Sequence, residues 1–306
     1  MNKYWLHGTL ACVITLMHGC ASTPAETAIT SDSANKAQAA SVIVIANDQK
    51  LVADTRQYNS GASMGIIGNA LDARAKSKAN QAMESNVTKI EKHSDTDFSD
   101  DLYSEIAKGN IFNDEKKITL LRKDRNRPEQ IHEAVKSAPD GPVVTIQSSF
   151  KLDATFRVMI IQAAAYLWNP PRDKADRIAF VSYQSAPVSP QAKLSLKPDD
   201  LAEMTTLWIA DNASLFRKAY ATGMSETIEM LRMALKERPS SIQLPTDTIV
   251  QYVDYSLAPD PYFFNWKLRT SKLVRMGVNR KITLTEDGEF ISLPVERTKE
   301  LATLKN

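Results

Sequence analysis

Two groups of residues in this chain invite chemistry by type and spacing: a cysteine set behind a small residue, and a run of carboxylates. The cysteines are Cys12 and Cys20, and Cys20 directly follows Gly19. A thiol is a nucleophile and a site for acylation, and a small residue before it lets a peptidase approach the backbone. The carboxylates are Asp95, Asp97, Asp100, Asp101 and Glu105. Their spacing differs from an EF-hand calcium loop, which needs a glycine at its sixth position and a glutamate at its twelfth. Helix capping is the simpler account. Ser99 or Asp100 is expected to cap a short helix through Ala107, with acids at its positive end and Gly109 as its stop.

The remaining signatures are unmatched. His93 and His132 lie in helical stretches, and neither belongs to a His-Glu-x-x-His pair or has cysteines to complete a zinc set. The chain holds no phosphate loop and no Gly-x-Gly-x-x-Gly turn. Ser-x-x-Lys occurs at Ser33-Ala-Asn-Lys36, in a polar segment. The expectation is no catalytic residue, no cofactor and no metal. Carboxylate pairs of the glycosidase kind stay open, because they need proximity in space rather than in sequence.

Cys20 belongs to a larger pattern. Lys3 gives a weakly basic start, Leu10 to Met17 are almost continuously apolar, and His18-Gly19 close the run. The run falls short of the roughly 20 apolar residues that cross a bilayer, so it reads as a signal peptide. Met17-His18-Gly19-Cys20 resembles the bacterial lipobox. That resemblance implies a diacylglycerol on the Cys20 thiol and cleavage before it; Met17 replaces the usual leucine, and His18 sits where small residues are usual. The competing reading is a soluble periplasmic protein cut after Ala21. Either way Cys12 leaves with the signal, so no intramolecular disulfide forms and the fold depends on its apolar core. The lack of aspartate after Cys20 resembles lipoproteins passed to the outer membrane, with the domain facing the periplasm.

Of 306 residues, 43% are hydrophobic and 24% charged, with a formal net charge of +2. That is the composition of a globular protein with a full core and no global field for nucleic acid. Residues 1–19 are the signal peptide and 20–40 a lipidated cysteine with a flexible tether. In the tether Ile29 is the one large apolar residue, too little to fold on.

Strand and helix patterns then alternate. Ser41-Val-Ile-Val-Ile-Ala46 is a β-branched strand, with Lys50–Asp54 as its expected hairpin partner. Ile67, Leu71, Ala75, Ala79, Met83, Val87 and Ile90 share one face of a helix ending near His93. Gly61, Gly65 and Gly68 are spaced for close packing against a sheet or for self-association in a membrane. Arg74, Lys76 and Lys78 are a solvated face or a headgroup contact. A strand at 117–122, a helix at 128–138 and three antiparallel strands, 143–150, 155–166 and 177–183, follow. Next comes a helix from Asp199 or Asp200 with a second start at Asp211 or Asn212, running to Pro239; its Met and Leu stripe is expected to pack in the core. Beyond lie short strands at 248–255, 281–284 and 290–293. Between them Tyr262, Phe263, Phe264 and Trp266 form an aromatic cluster, either a contact surface or a seal on the sheet edge.

The expected fold class is α+β or α/β, with a mixed, mostly antiparallel sheet packed by two long amphipathic helices. The domain covers 41–239 and a β-rich C-terminal arm 240–306. This order resembles, in topology alone, the α/β domains of outer-membrane assembly lipoproteins, including the curli secretion lipoprotein. Two functions are weighed. One is a membrane-anchored, non-enzymatic binding or assembly module of the envelope, with other envelope proteins as partners, the membrane engaged through Cys20, and no nucleic acid. The other is an envelope hydrolase acting on cell wall or glycan.

Overall fold

The computed structural model describes residues 31–46, 51–53, 65–112, 118–123, 129–189, 197–237, 248–255 and 268–301, without the side chains of 31, 34, 46, 53, 65–79 and 237. An eleven-stranded mixed sheet runs through it with helices on its faces, an α+β fold. Strand β1 (Ser41–Ala46) lies between β3 (Ile118–Arg122) and β4 (Val143–Leu152), all parallel. Both faces of β1 are covered, which explains four consecutive buried β-branched residues, Val42 to Ile45. From β4 the chain meanders antiparallel through β5 (Met159–Trp168) and β6 (Ala175–Gln184).

One face of the sheet carries Val44, Ile146, Phe150, Ile161, Val181 and Tyr183 into the main core. Two helices supply most of its cover. α2 (Gly65–Ser94) contributes Met83, Val87 and Ile90; α5 (Pro198–Arg232) contributes Leu201, Trp208, Phe216 and Met224. α3 (Phe98–Lys108) packs beside them with Leu102 and Ile106. The other face is covered by α4 (Gln130–Ser137), whose Val135 meets Ile43, Ile45 and Val143.

α5 is interrupted where the sequence predicts a second start. Ala210 is extended, and Asp211, Asn212 and Ala213 all take left-handed backbone angles. The reason is phase. Before the break the buried positions are Leu201, Met204, Thr205 and Trp208; after it they are Ala213, Phe216, Tyr220, Gly223 and Thr227. A straight helix with 3.6 residues per turn would place Asn212 and Leu215 inward instead. The break resets the stripe by one residue, so both halves face the sheet.

Gly223 is where α5 comes closest to the sheet. A Cβ there would lie 2.7 Å from Ile161 Cδ1 and 2.8 Å from the Tyr183 ring. Gly109 ends α3 for a similar reason, since a Cβ would lie 2.7 Å from Ile228 on α5.

Several expectations need correction. The tether was expected to extend to residue 40, but α1 (Ser31–Ala39) is folded against the domain. Ala37 and Ala40 are buried, and Gln38 Nε2 donates to the carbonyls of Ile111 (3.0 Å) and Leu235 (3.1 Å). Small alanines that fit a close interface replace the large apolar residues whose lack suggested disorder. Of the expected hairpin partner Lys50–Asp54 the described residues 51–53 do not pair with β1, both of whose edges are occupied. Instead β2 (Val52–Ala53) lies parallel to Lys151–Leu152 of β4. The cap of α3 is Asp97, which accepts from Asp100 N at 3.1 Å, rather than Ser99 or Asp100.

The C-terminal arm extends the same sheet. β10 (Phe290–Pro294) joins β6 in parallel, and β9 (Arg280–Leu284), β8 (Leu268–Met276), β7 (Ile249–Val253) and β11 (Thr298–Leu301) follow antiparallel. Tyr252 of β7 packs on Ile291 and Leu293 of β10 although two strands separate them in the sheet order. The arm therefore curls into a half-barrel.

Candidate functional site

The densest polar chemistry lies where the half-barrel closes on the sheet. Gln184, at the end of β6 and fully buried, donates from Nε2 to Asp254 Oδ1 at 2.7 Å. Asp254, also fully buried, accepts from Arg269 Nη1 at 3.2 Å through its other oxygen. Arg297 donates from Nη2 to Gln184 Oε1 (2.9 Å) and the Val253 carbonyl (2.7 Å), and from Nη1 to the Ser185 carbonyl (3.0 Å). Its guanidinium lies 4.1 Å from the centre of the Tyr255 ring. Burial lowers the Arg297 pKa to about 10, which leaves it charged at neutral pH. Glu289, between Arg177 and Arg269 at 3.6 Å from each, is pushed up by burial against the pull of both arginines.

A second, open cluster adjoins it. A cleft of about 340 Å3 is lined by Glu105, Gly109, Ser225, Glu229, Arg232 and Arg275 among others. Arg232 clasps Glu229 with Nε (3.1 Å) and Nη2 (2.9 Å), and Arg275 reaches the same carboxylate from β8 at 2.5 Å. The Arg232 hydrogen bond, with Arg275 behind it, holds the Glu229 carboxyl below its ordinary range. Glu226 accepts from Ser292 Oγ at 3.0 Å, and that oxygen accepts from Arg280 Nε at 2.9 Å. Arg280 also donates to the Gln184 carbonyl at 2.9 Å and stacks 4.3 Å from the Tyr183 ring centre. Hydrogen bonds thus run from α5 through β10 and β9 to the buried junction.

As acid–base equipment these groups are poorly suited. A general acid needs a carboxyl raised toward the working pH and access to substrate. Glu229 is held ionised, while Glu289, which is raised, is clamped between two arginines. Glu226 and Glu229 also sit one turn apart on a single helix rather than on opposing walls.

No family model matches the chain, and no curated protein sequence does. Among solved structures, a hypothetical protein of Chlamydia trachomatis, CT253, aligns with 64% of this chain and 98% of its own, at 6% identity and a TM-score of 0.27.

The residues singled out from sequence are distributed as follows. Cys20 and the aromatic cluster Tyr262, Phe263, Phe264 and Trp266 lie outside the described residues, as do Gly61 and the side chains of Arg74, Lys76 and Lys78. His93 donates from Nδ1 to the Lys89 carbonyl at 2.7 Å on α2, while His132 of α4 stands 6.0 Å from Trp168 on the opposite face of the sheet. The acidic run is dispersed: Asp97 caps α3, Asp100 pairs with Arg122, and Asp101 accepts from the Tyr220 hydroxyl at 2.7 Å. Among the described residues no group of three or more His, Cys, Asp or Glu side chains is placed to hold a metal ion. Sequence reasoning missed the junction and the cleft. Only Glu226, Glu229 and Arg232, three apart on α5, left a local trace.

Proposed function

We propose that the chain is a lipid-anchored lipoprotein of the bacterial envelope that binds or helps assemble other envelope proteins without chemistry of its own. Anchoring rests on the lipobox-like Met17-His18-Gly19-Cys20, with the domain at the outer membrane and facing the periplasm. The observation that carries the non-enzymatic reading is Glu229. In the open cleft beside the junction its carboxylate is tied to Arg232 and Arg275, an arrangement suited to cross-bracing helix and sheet rather than to proton transfer. We take the helical layer to be two long amphipathic helices, α2 and α5, that stiffen one face of the sheet. The C-terminal arm is left to carry contacts, including the aromatic segment Tyr262, Phe263, Phe264 and Trp266.

The test is affinity capture of the acylated protein from detergent-solubilised envelopes after reversible crosslinking. Specific recovery of a defined envelope protein supports the reading. Release of soluble fragments from purified cell wall by the protein, abolished by Glu226→Gln or Glu229→Gln, would replace it with the hydrolase.

A further inference from the structure

Strand β11 ends the half-barrel and is lightly seated: it makes four pairs with β7, and none of its side chains is fully buried. It nevertheless covers a buried surface, since Val250 and Tyr252 of β7 are closed off from water. Thr298 stands opposite Tyr252 and Glu300 opposite Val250, so all four share the concave side of the half-barrel. Without β11 the outer N–H and C=O groups of β7 would form an open sheet edge, ready to pair with another strand.

The recognition element in this place is a lysine. Lys281 Nζ donates to Glu300 Oε1 at 2.6 Å. Lys281 belongs to β9, and its side chain, 4% exposed, crosses the concave side past β8 and β7 to meet the last strand. A buried ammonium is costly without a counter-charge, so whatever strand lies on β7 must bring a carboxylate to this point. Ser271, which pairs with Val250 and so faces the same side, is buried with a hydroxyl that has no hydrogen-bond partner. The root of β11 is held far more firmly than the strand. Arg297 is fixed by Gln184, Ser185 and Val253, and Val295 N donates to the Asn279 carbonyl at 3.0 Å.

We propose that β11 is an exchangeable strap, and that the edge of β7 beneath it receives an extended segment of another protein, antiparallel to β7, with an acidic side chain set against Lys281. The proposal rests on the reading of the chain as a binder of envelope proteins, and it names the surface and the chemistry of recognition. Thr298–Leu301 leaves while Arg297 keeps the junction closed. A free segment competes with a tethered one, whose effective concentration is on the order of millimolar. Two features favour the newcomer: more pairs with β7 than the four of β11, and an apolar residue where Thr298 stands opposite Tyr252. A neutral or basic residue at the position of Glu300 would strand Lys281, which excludes segments without the acid.

Glu300→Lys in the full chain provides the test, because it sets two cations together and frees the strap. Glu300 is half exposed, so the rest of the fold is undisturbed, which circular dichroism checks. The probes are a biotinylated peptide with the sequence of residues 298–306 and the same peptide with lysine at the position of Glu300. Hydrogen exchange over Ile249–Val253 is expected to be roughly tenfold faster in the variant than in the parent. The acidic peptide should bind the variant and restore protection, and the lysine peptide should bind at least about tenfold more weakly. Adding Lys281→Glu to Glu300→Lys rebuilds the pair with its signs reversed and should abolish peptide binding. Parent-like protection of β7 in Glu300→Lys overturns the proposal, as does equal binding of the two peptides. So does a parent chain that is dimeric by light scattering and monomeric with Glu300→Lys, which makes a second copy the occupant. None of these results bears on the capture of envelope proteins, and failed capture with peptide discrimination intact sinks that reading while the strap stands.

Discussion

The indole Nε1 of Trp208 donates to the carbonyl of Phe156 at 2.6 Å, in the interior. Phe156 has a φ of 58° in the β4–β5 loop, held there by the Asp153 carboxylate, which accepts from the backbone N–H groups of Thr155, Arg157 and Val158. The first half of α5 is thereby fastened to the loop. Trp208→Phe keeps most of the apolar volume and leaves that carbonyl unpaired. The expected loss is about 1–3 kcal/mol, measured by urea unfolding; an unchanged midpoint would show that water replaces the indole.

At Gly223 the prediction is steric. Alanine brings a methyl within 2.8 Å of both Ile161 and Tyr183. Gly223→Ala is expected to cost roughly 1–3 kcal/mol despite its better helix propensity. Pairing it with Ile161→Val should recover part of the loss in a thermal melt.

The left-handed break in α5 gives the opposite sign. Asn212 is exposed with φ 57°. Asn212→Gly removes the side-chain penalty and is expected to be neutral or to stabilise slightly, whereas Asn212→Val should cost about 1–2 kcal/mol. Equal stability of the two variants would indicate that the break is absent in solution.

The buried junction predicts a loss of stability. Asp254→Ala leaves Arg269 and Gln184 without their shared acceptor in the interior. Arg269 keeps Glu289 and Asp287, so the expected loss is that of the unpaired Gln184 amide, about 1–3 kcal/mol. Asp254→Asn keeps one acceptor and should lose less, which chemical denaturation of both variants resolves.

Glu229 fixes a pH dependence. Its folded pKa lies below the ordinary value of 4.5, so the native state binds its proton more weakly than the unfolded chain does. Its contribution is complete above 4.5 and fades as pH falls through the lowered value. Glu289, raised by burial, acts with the reverse sign and favours the native state as pH falls. Stability measured between pH 3 and 7 should therefore fall less steeply with acid in Glu229→Gln, and more steeply in Glu289→Gln, than in the parent.

Sequence reading succeeded where burial imposes a strong period. The run Val42 to Ile45, the meander from 143 to 184 and the second start in α5 each carry their own pattern. It failed where the period is diluted. β8 reads Leu-Arg-Thr-Ser-Lys-Leu-Val-Arg-Met, with charges on both faces and a register shift between Leu273 and Arg275 that breaks the alternation. β11 is a polar edge of four residues, and α1 packs through alanines. The candidate site left almost no trace, because its groups come from α5, β6, β8, β9, β10 and the segments after β7 and β10. No window of sequence contains their meeting.

The parallel ladder between β6 and β10 also bears on how the chain assembles. Gln184 closes β6 roughly a hundred residues before Phe290 arrives to pair beside it. Chains are made from the N-terminus, and domains fold as their parts emerge. The growing polypeptide therefore carries a completed meander whose outer edge must wait for its neighbour. A non-local pairing of this kind is slow to form and prone to aggregation until it does. Truncations ending after α5 would retain that bare edge permanently, so solubility rather than local stability should decide how short this chain can be made.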